Sequence, residues 1–249
     1  MSSSGFGYGF NQGTAGPLGW GLGFGPRPSS IPASGLLLHL DASNPASYPG
    51  SGTTWFDLAS SPTANDATLV NTPTYSTASG GYFTFAKLSS ESATVSGTGL
   101  VPSAAYTKAV WFNLTDTASD NNLVSSETGG HFMYLGGSTK LYSGHSNWTT
   151  GAAFAQYPST MNFSAGVWYF AVLTYTTADG MRLYVNGALD SAYTANKLAH
   201  PGDGSVNIGR YGAGNFLNGS IAQVLTYDRA ISDDEVLRIY NATRERFGI

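Results

Sequence analysis

The carboxylates of this sequence come first, since pairs of carboxylates carry out acid and base catalysis. A retaining glycosidase holds two of them about 5 to 5.5 Å apart, and residues at alternate positions of one strand share the face that this spacing needs. Apart from an acidic triplet at 233–235, no two carboxylates alternate in this way, although residues far apart in sequence can still converge in a fold. The other carboxylates stand singly, among them Asp41, Asp57, Asp66, Glu91, Asp116, Asp120, Glu127, Asp179, Asp190, Asp203 and Asp228. The sequence therefore predicts no catalytic residue and no enzyme.

The acidic triplet is explained by the start of a helix. Ser232 and Glu235 have the spacing of a capping box, and Asp233 and Asp234 fall in the first turn, where the helix dipole favours anions. Adjacent helical residues point in different directions, which disfavours a metal or catalytic cluster. The stretch ISDDEVLRIYNATRERFGI thus predicts a C-terminal helix that packs on the rest of the domain. Its buried face would consist of Val236, Ile239, Tyr240, Thr243 and Phe247.

Histidine, cysteine and serine give no sign of a metal site or a nucleophile. The four histidines, His39, His131, His145 and His200, are far apart and lack metal-ligand spacing. With no cysteine, the chain has neither a disulfide framework nor a thiolate site. No serine stands in a Gly-x-Ser-x-Gly elbow. We therefore predict no metal and no cofactor.

Two loop segments have the residue types that bind sugars. A planar ring stacks on the face of a sugar, and nearby amide or imidazole groups bind its hydroxyls. Both SGHSNWTT (143–150) and GRYGAGN (209–215) combine such residues, although Trp148 has the alternative roles of capping the core or contacting a neighbouring subunit. The candidate glycan-binding residues are His145, Asn147, Trp148, Tyr211 and Asn215.

The N-terminal arm, residues 1–34, differs in composition from the rest of the chain. Residues 5–26 alternate glycine with large apolar side chains, which is untypical of a flexible linker and typical of a segment that docks on another surface. A disordered tail, or an arm folded back on its own domain, is the alternative. The predicted partner-binding residues are Phe6, Tyr8, Phe10, Leu18, Trp20, Leu22 and Phe24. A proline-rich connector then leads into a single domain over residues 35–249.

Composition excludes several classes of partner. Charged residues make up 10% of the chain, the formal net charge is -4, and Lys and Arg form no run, so we expect neither nucleic acid nor an anionic membrane as partner. The beginning, MSSSGFGYGF, lacks the basic and apolar regions of a secretory signal. No apolar run approaches the length that spans a bilayer.

Short alternating runs separated by turn residues predict an all-β fold. Asn186-Gly187 lies between two such runs, and this dipeptide is a strong hairpin signal because both positions of a type I′ turn need positive φ. About a dozen such strands favour two packed antiparallel sheets. The predicted strands include 35–43, 67–70, 82–86, 92–96, 106–114, 121–126, 131–137, 139–144 and 152–157, those within 167–194, and the runs SVNIGR and GSIAQVLTYD.

Several stretches resemble the laminin-G-like, concanavalin A-like jelly roll. They include GLLLHLDASNPASYPGSGTTWFDLASS, GVWYFAVLTYTTADGMRLYVNGALD and the closing NIGRYGAGNFLNGSIAQVLTYDRAISDDEVLRIYNATRERFG. The resemblance covers about residues 35–249 and implies a two-sheet sandwich that binds glycans or proteins, or in some branches hydrolyses glycans. FAKLSSES (85–92) departs from the family's acidic motif, and Lys87 would repel a cation there. The paired carboxylates of the hydrolase branch are missing.

Together these features lead to two expectations about function. The first is a non-enzymatic bacteriophage virion protein, assembled in the host cytoplasm, that decorates or cements the capsid. Its arm would bind coat proteins, and its domain would form a homo-oligomer. The alternative is a lectin-like adhesin of a phage tail, a fibre or a bacterial surface, which would bind cell-surface glycan.

Overall fold

The computed structural model describes Met1 and residues 30–59, 64–95, 97, 99–117, 120–127, 130–137, 139–147, 152–194 and 205–249. For Asn147 and residues 152–155 it describes the backbone alone. The predicted partner-binding residues of the arm, from Phe6 to Phe24, lie outside the described residues, as do Trp148 and His200.

The described residues form seventeen strands and one α-helix. The strands are β1 (Leu36–Asp41), β2 (Thr54–Trp55), β3 (Ala67–Val70), β4 (Thr74–Ser76), β5 (Tyr82–Phe85), β6 (Ser92–Val95), β7 (Ala105–Leu114), β8 (Asn121–Asn122), β9 (Val124–Ser125), β10 (His131–Leu135), β11 (Leu141–Asn147), β12 (Ala152–Pro158), β13 (Trp168–Thr176), β14 (Gly180–Val185), β15 (Ala188–Tyr193), β16 (Val206–Ile208) and β17 (Gly219–Tyr227). The helix is α1 (Asp233–Thr243), and a 3-10 turn (Arg244–Phe247) follows it.

The strands form three antiparallel sheets in two layers. The eight-stranded sheet has the order β15-β14-β13-β7-β17-β5-β4, with β1 also paired to β17. The five-stranded sheet is β2-β3-β6-β16-β9, and the four-stranded sheet is β12-β11-β10-β8. Main-chain bonds from Leu123 N to Met133 O and from Gly209 N to Leu123 O join these two smaller sheets into one layer. The predicted all-β sandwich is confirmed.

Alternation along β7 shows how the layers pack. Tyr106, Val110 and Phe112 face the layer of the two smaller sheets and belong to the main core. The intervening Trp111 faces the other way, where its Nε1 donates to Thr243 Oγ1 at 2.8 Å and its ring stacks on Phe247. The eight-stranded sheet is therefore the middle layer, with α1 on one side and the two smaller sheets on the other.

The local turn and cap signals agree with the structure. Asn186 and Gly187 have φ of 50° and 82° between β14 and β15, as a type I′ hairpin requires. Ser232 and Glu235 form the complete capping box of α1.

Three strands differ from the sequence prediction. The sequence does not predict the two short strands β2 and β4, and β11 lies at 141–147 instead of 139–144. Strands of two or three residues give too short an alternation to recognise in sequence.

Candidate functional site

The outer face of the four-stranded sheet carries aromatic side chains where a sandwich normally exposes polar ones. Along β10, Met133 and Leu135 point into the core, so Phe132 and Tyr134 point away from it. Tyr134 lies opposite Asn122 on β8 and Tyr142 on β11, and all three therefore share the outer face.

These residues line a continuous depression, which we call the outer groove. One part, with a volume of about 130 Å³, and a wider, shallower part meet at Asp120 and Tyr134, which line both. The full lining is Asp120, Asn122, Phe132, Tyr134, Gly136, Gly137, Tyr142, Gln156, Tyr211 and Asn215.

The aromatic floor of the groove is fixed by cross-strand contacts. The rings of Tyr134 and Tyr142 stack with centroids 5.5 Å apart, and Phe132 meets Tyr134 edge-on at 5.9 Å. Gln156 Nε2 donates to the Tyr134 hydroxyl. Gly144, opposite Phe132 on β11, adds no side chain to this face. The result is a pair of partly exposed tyrosine rings beside the buried Phe132, flanked by an amide.

The facing wall comes from the loop after β16. Tyr211 and Gly214 bond to each other through both main-chain pairs at 3.1 Å, which closes the loop. The main-chain oxygen of Asn215 accepts a bond from Asn122 Nδ2 at 2.8 Å, which ties the loop to the four-stranded sheet. Asn215 has a φ of 49°, a left-handed conformation that asparagine tolerates better than most residues. The groove therefore spans the seam between the two smaller sheets.

The charged side chains around the groove differ in whether another charged group already binds them. Arg210 forms a 2.7 Å ion pair with Glu127 and also donates to Gly212 O, so both charges are engaged with each other. Asp120 is exposed and is the one charged side chain among the described residues that line the groove. Burial, and then the nearby Asp120 carboxylate, raise the pKa of Tyr134. The Tyr134 hydroxyl therefore stays protonated over the physiological range.

A sequence model described as the concanavalin A-like lectin/glucanases superfamily matches residues 78–237, which is more than half of the chain. The chain belongs to this superfamily. Comparison with curated proteins returns no match.

Solved structures with the same fold include three with different ligands or activities in their descriptions. Domain 4 of the extracellular arabinanase AbnA from Geobacillus stearothermophilus, in complex with arabinotriose, is 16% identical, with a TM-score of 0.60 over 84% of this chain and 100% of that one. A Trypanosoma rangeli sialidase is 14% identical, with a TM-score of 0.62 over 85% of this chain and 33% of that one. The binding domain of botulinum neurotoxin DC in complex with SialylT is 12% identical, with a TM-score of 0.61 over 84% of this chain and 51% of that one. At these identities the likeness establishes the fold alone.

Two of the predicted glycan-binding residues of this concanavalin A-like domain meet in the groove, and one lies elsewhere. Tyr211 and Asn215 line the groove together. His145 is fully buried on the core side of β11, where its Nδ1 is 2.9 Å from the Tyr106 hydroxyl and its ring meets Tyr175 edge-on. A ligand on the outer face cannot reach its imidazole, which corrects the expectation for this residue. The side chain of Asn147 and the whole of Trp148 lie outside the described part of the chain.

Sequence reasoning missed most of the groove. The stretch HFMYLGG predicts a strand, but both faces of that strand are apolar, so the sequence does not indicate that Phe132 and Tyr134 point outward. An aromatic face on a strand at the outside of a two-layer sandwich is the signal that could have identified them. The other missed residues are Asp120, Asn122, Tyr142 and Gln156.

The described residues offer no group of three histidine or acidic side chains that could hold a metal ion. Lys87, which departs from the family's acidic motif, donates from Nζ to the main-chain oxygen of Asp120 at 3.4 Å. Within the part of the chain that the structure describes, no helix is long and apolar enough to cross a membrane.

Proposed function

We propose that this protein is a non-catalytic, lectin-like glycan-binding module whose ligand lies in the outer groove. One observation carries the proposal. Stacked tyrosine rings on the outer face of the four-stranded sheet are bordered by the Gln156 amide and the Asp120 carboxylate, within a superfamily of lectins and glucanases.

The groove offers both kinds of contact that a sugar needs. The rings of Tyr134, Tyr142 and Tyr211 present planar apolar surface for the C–H face of a pyranose or furanose. Gln156 lies among these rings with an amide that can bond to sugar hydroxyl groups, whereas the buried Asn122 amide is engaged with Asn215 O and Ser125 Oγ. Structures of the same fold that are described with arabinotriose or SialylT bound support this use of the fold.

Among its described lining residues the groove holds no pair of carboxylates, which supports binding without hydrolysis. Glycosidases of both stereochemical classes use two carboxyl groups across the scissile bond. Of the described residues lining the groove, Asp120 alone carries a carboxylate. The nearby Glu127 is held in its ion pair with Arg210. A sugar bound here would meet one carboxyl group rather than an acid and a base.

The proposal is tested by glycan binding of the wild type and of groove variants. We expect Tyr134→Ala and Tyr211→Ala each to weaken binding about tenfold, because each removes one stacked ring. Phe56→Ala is the matched control, since Phe56 is an exposed aromatic residue outside the groove. Isothermal titration against the oligosaccharides that a glycan array selects gives the affinities. Failure of every glycan to bind, or equal weakening by the Phe56 variant, would contradict the proposal.

A second proposal concerns the N-terminal arm and rests on where the domain begins. Ile31 and Leu36 pack against the cluster beside α1, and Arg229 Nε donates to Ser34 O at 3.0 Å. The chain therefore enters the domain on the α1 side, opposite the outer groove. We propose that the arm anchors the domain to bacteriophage coat protein and leaves the groove facing outward. Capsid decoration, virion location and homo-oligomerisation remain predictions.

A further inference from the structure

The charge of the outer groove comes from Asp120. This residue is exposed and lines both parts of the groove, while the other described lining residues are uncharged. Its carboxylate is close enough to Tyr134 to act on that hydroxyl electrostatically. Asp120 therefore stands beside the ring on which a sugar would stack.

The two described cations near the groove, Arg210 and Lys87, are bonded to other groups. The Arg210 guanidinium is bonded to Glu127 at 2.7 Å, to Gly212 O at 2.6 Å and to Thr94 Oγ1 at 3.2 Å. Lys87 donates to the main-chain oxygen of Asp120 at 3.4 Å and does not line the groove. Binding an acidic sugar through Arg210 would require its ion pair with Glu127 to open.

We infer that the groove selects neutral glycans over acidic ones, with Asp120 as the residue that discriminates. This inference rests on the proposed function. A hydroxyl of a neutral sugar can donate to the Asp120 carboxylate, and such charge-assisted bonds are stronger than those between neutral groups. A sialic or uronic acid would instead bring a second carboxylate towards the first, and like charges at contact distance repel. The inferred preference would set this protein apart from the fold relative described in complex with SialylT.

The experiment compares neutral and acidic oligosaccharides on the wild-type protein and on Asp120→Asn. The probes are arabinotriose and lactose as neutral ligands, with sialyllactose and trigalacturonic acid as acidic ones. We expect the wild type to bind the tighter neutral probe at least tenfold more strongly than either acidic probe. Asp120→Asn should weaken neutral binding and reduce that ratio to about threefold or less. Thermal unfolding of each variant establishes that it is folded.

Two control variants sharpen the comparison. Asp179→Asn removes an exposed carboxylate that bonds to Thr176, away from the groove, and should leave all four affinities unchanged. Lys87→Gln should leave neutral glycans preferred, because its ammonium does not line the groove. The inference would be overturned, while the proposed function stands, if the wild type bound an acidic probe more tightly than the neutral ones. The same follows if the ratio of neutral to acidic affinity were unchanged in Asp120→Asn. Failure of all four probes, followed by failure of a wider glycan array, would overturn both.

Discussion

Tyr134 brings together the contacts that define the outer groove. Its ring stacks on Tyr142, its hydroxyl accepts a bond from Gln156, and it lies opposite Asn122 across the strand pair. Such contacts fix a ring before any ligand arrives, so binding does not have to order it. The ring and the hydroxyl can be separated by substitution, because only the ring provides stacking area.

Tyr134→Phe tests this separation. The variant keeps the ring but loses the bond with Gln156, so we expect the affinity for a bound glycan to fall about threefold or less. Tyr134→Ala also loses the stacking surface and should lose about tenfold. Titration calorimetry on both variants checks the difference. If Tyr134→Phe lost as much glycan affinity as Tyr134→Ala, the hydroxyl rather than the ring would hold the ligand.

His145 provides the opposite test, since it is a predicted sugar ligand that the structure buries. Removing its side chain breaks the contact with Tyr106 and leaves a cavity between the layers. We expect His145→Ala to lower the free energy of unfolding by about 2 kcal/mol. Glycan affinity should be unchanged under conditions in which the variant is folded. Urea unfolding and titration measure the two effects, and a large loss of affinity at full folding would contradict the buried placement.

At the scale of elements, α1 is held on the sheet by its cap as well as by its apolar face. The two terminal guanidinium nitrogens of Arg229, Nη1 and Nη2, donate to Glu235 at 2.7 and 2.8 Å, and Ser232 N donates to the same carboxylate at 2.9 Å. The Arg229 guanidinium is the largest influence, and together these bonds lower the pKa of Glu235 to about 2. The cap therefore stabilises the protein only while this carboxylate is ionised.

Glu235→Gln should lower the free energy of unfolding by about 2 kcal/mol at pH 7, allowing for solvent screening of a partly exposed pair. The carboxyl has a lower pKa in the folded state than the 4.5 of the free group. Its contribution is therefore complete above pH 4.5 and is lost as the pH falls through 2. Urea unfolding between pH 2 and 7 measures this loss of stability. Glu245→Gln is the control variant, because Glu245 is exposed. A difference between wild type and Glu235→Gln that does not shrink on acidification would contradict the account.

Lys108 joins the two smaller sheets from beneath the groove. The side chain is completely buried, and its ammonium donates to Phe132 O on β10 at 2.9 Å and to Val124 O on β9 at 3.3 Å. His131 Nδ1 accepts a third bond at 3.3 Å. Burial holds the pKa of Lys108 well below its usual value. The unfolded chain therefore binds more protons at this residue than the folded protein does.

This difference predicts a pH dependence that Lys108→Met removes. The contribution of Lys108 to the free energy of unfolding should rise with pH up to about 10.4, the pKa of an unperturbed lysine. Between pH 8 and 10, the wild type should therefore gain stability relative to Lys108→Met. Guanidinium unfolding of both proteins at each pH measures the gap, in which the effects of other titrating groups cancel. Parallel profiles would contradict the prediction.

The elements that were predicted from sequence are those with local signals. The hairpin at Asn186-Gly187 follows from backbone conformation, and the start of α1 follows from the Ser232 and Glu235 cap. The groove has no such local signal, because its lining runs from Asp120 to Asn215 and depends on strand pairing across two sheets. Tyr211 could be predicted because an aromatic residue in a glycine-rich loop is conspicuous, whereas Tyr134 resembles any core residue of a strand.

At the scale of the whole molecule, the groove and the beginning of the domain lie on opposite sides of the sandwich. Two layers separate them, the paired smaller sheets and the eight-stranded sheet, and α1 packs on the same side as the beginning of the domain. Binding through the groove and attachment through the arm therefore use different surfaces, and the two proposals can be tested independently.

Deletion of residues 2–29 should leave the domain folded, because the described residues from Ile31 onward themselves supply contacts with the α1 side. We expect the shortened protein to keep its glycan affinity and to lose self-association or binding to coat particles. Light scattering gives the molar masses, and sedimentation with particles tests attachment. Identical behaviour of the two proteins would remove the support for an anchoring arm without affecting the groove.

The central claim is that a glycan binds on the outer face of the four-stranded sheet. Its most direct test is to titrate ¹⁵N-labelled protein with a neutral oligosaccharide and to follow the amide chemical shifts. The account predicts that the perturbed amides cluster around Asn122, Tyr134, Gln156 and Tyr211. Perturbations confined to the α1 side, or none with any oligosaccharide of a broad panel, would contradict it.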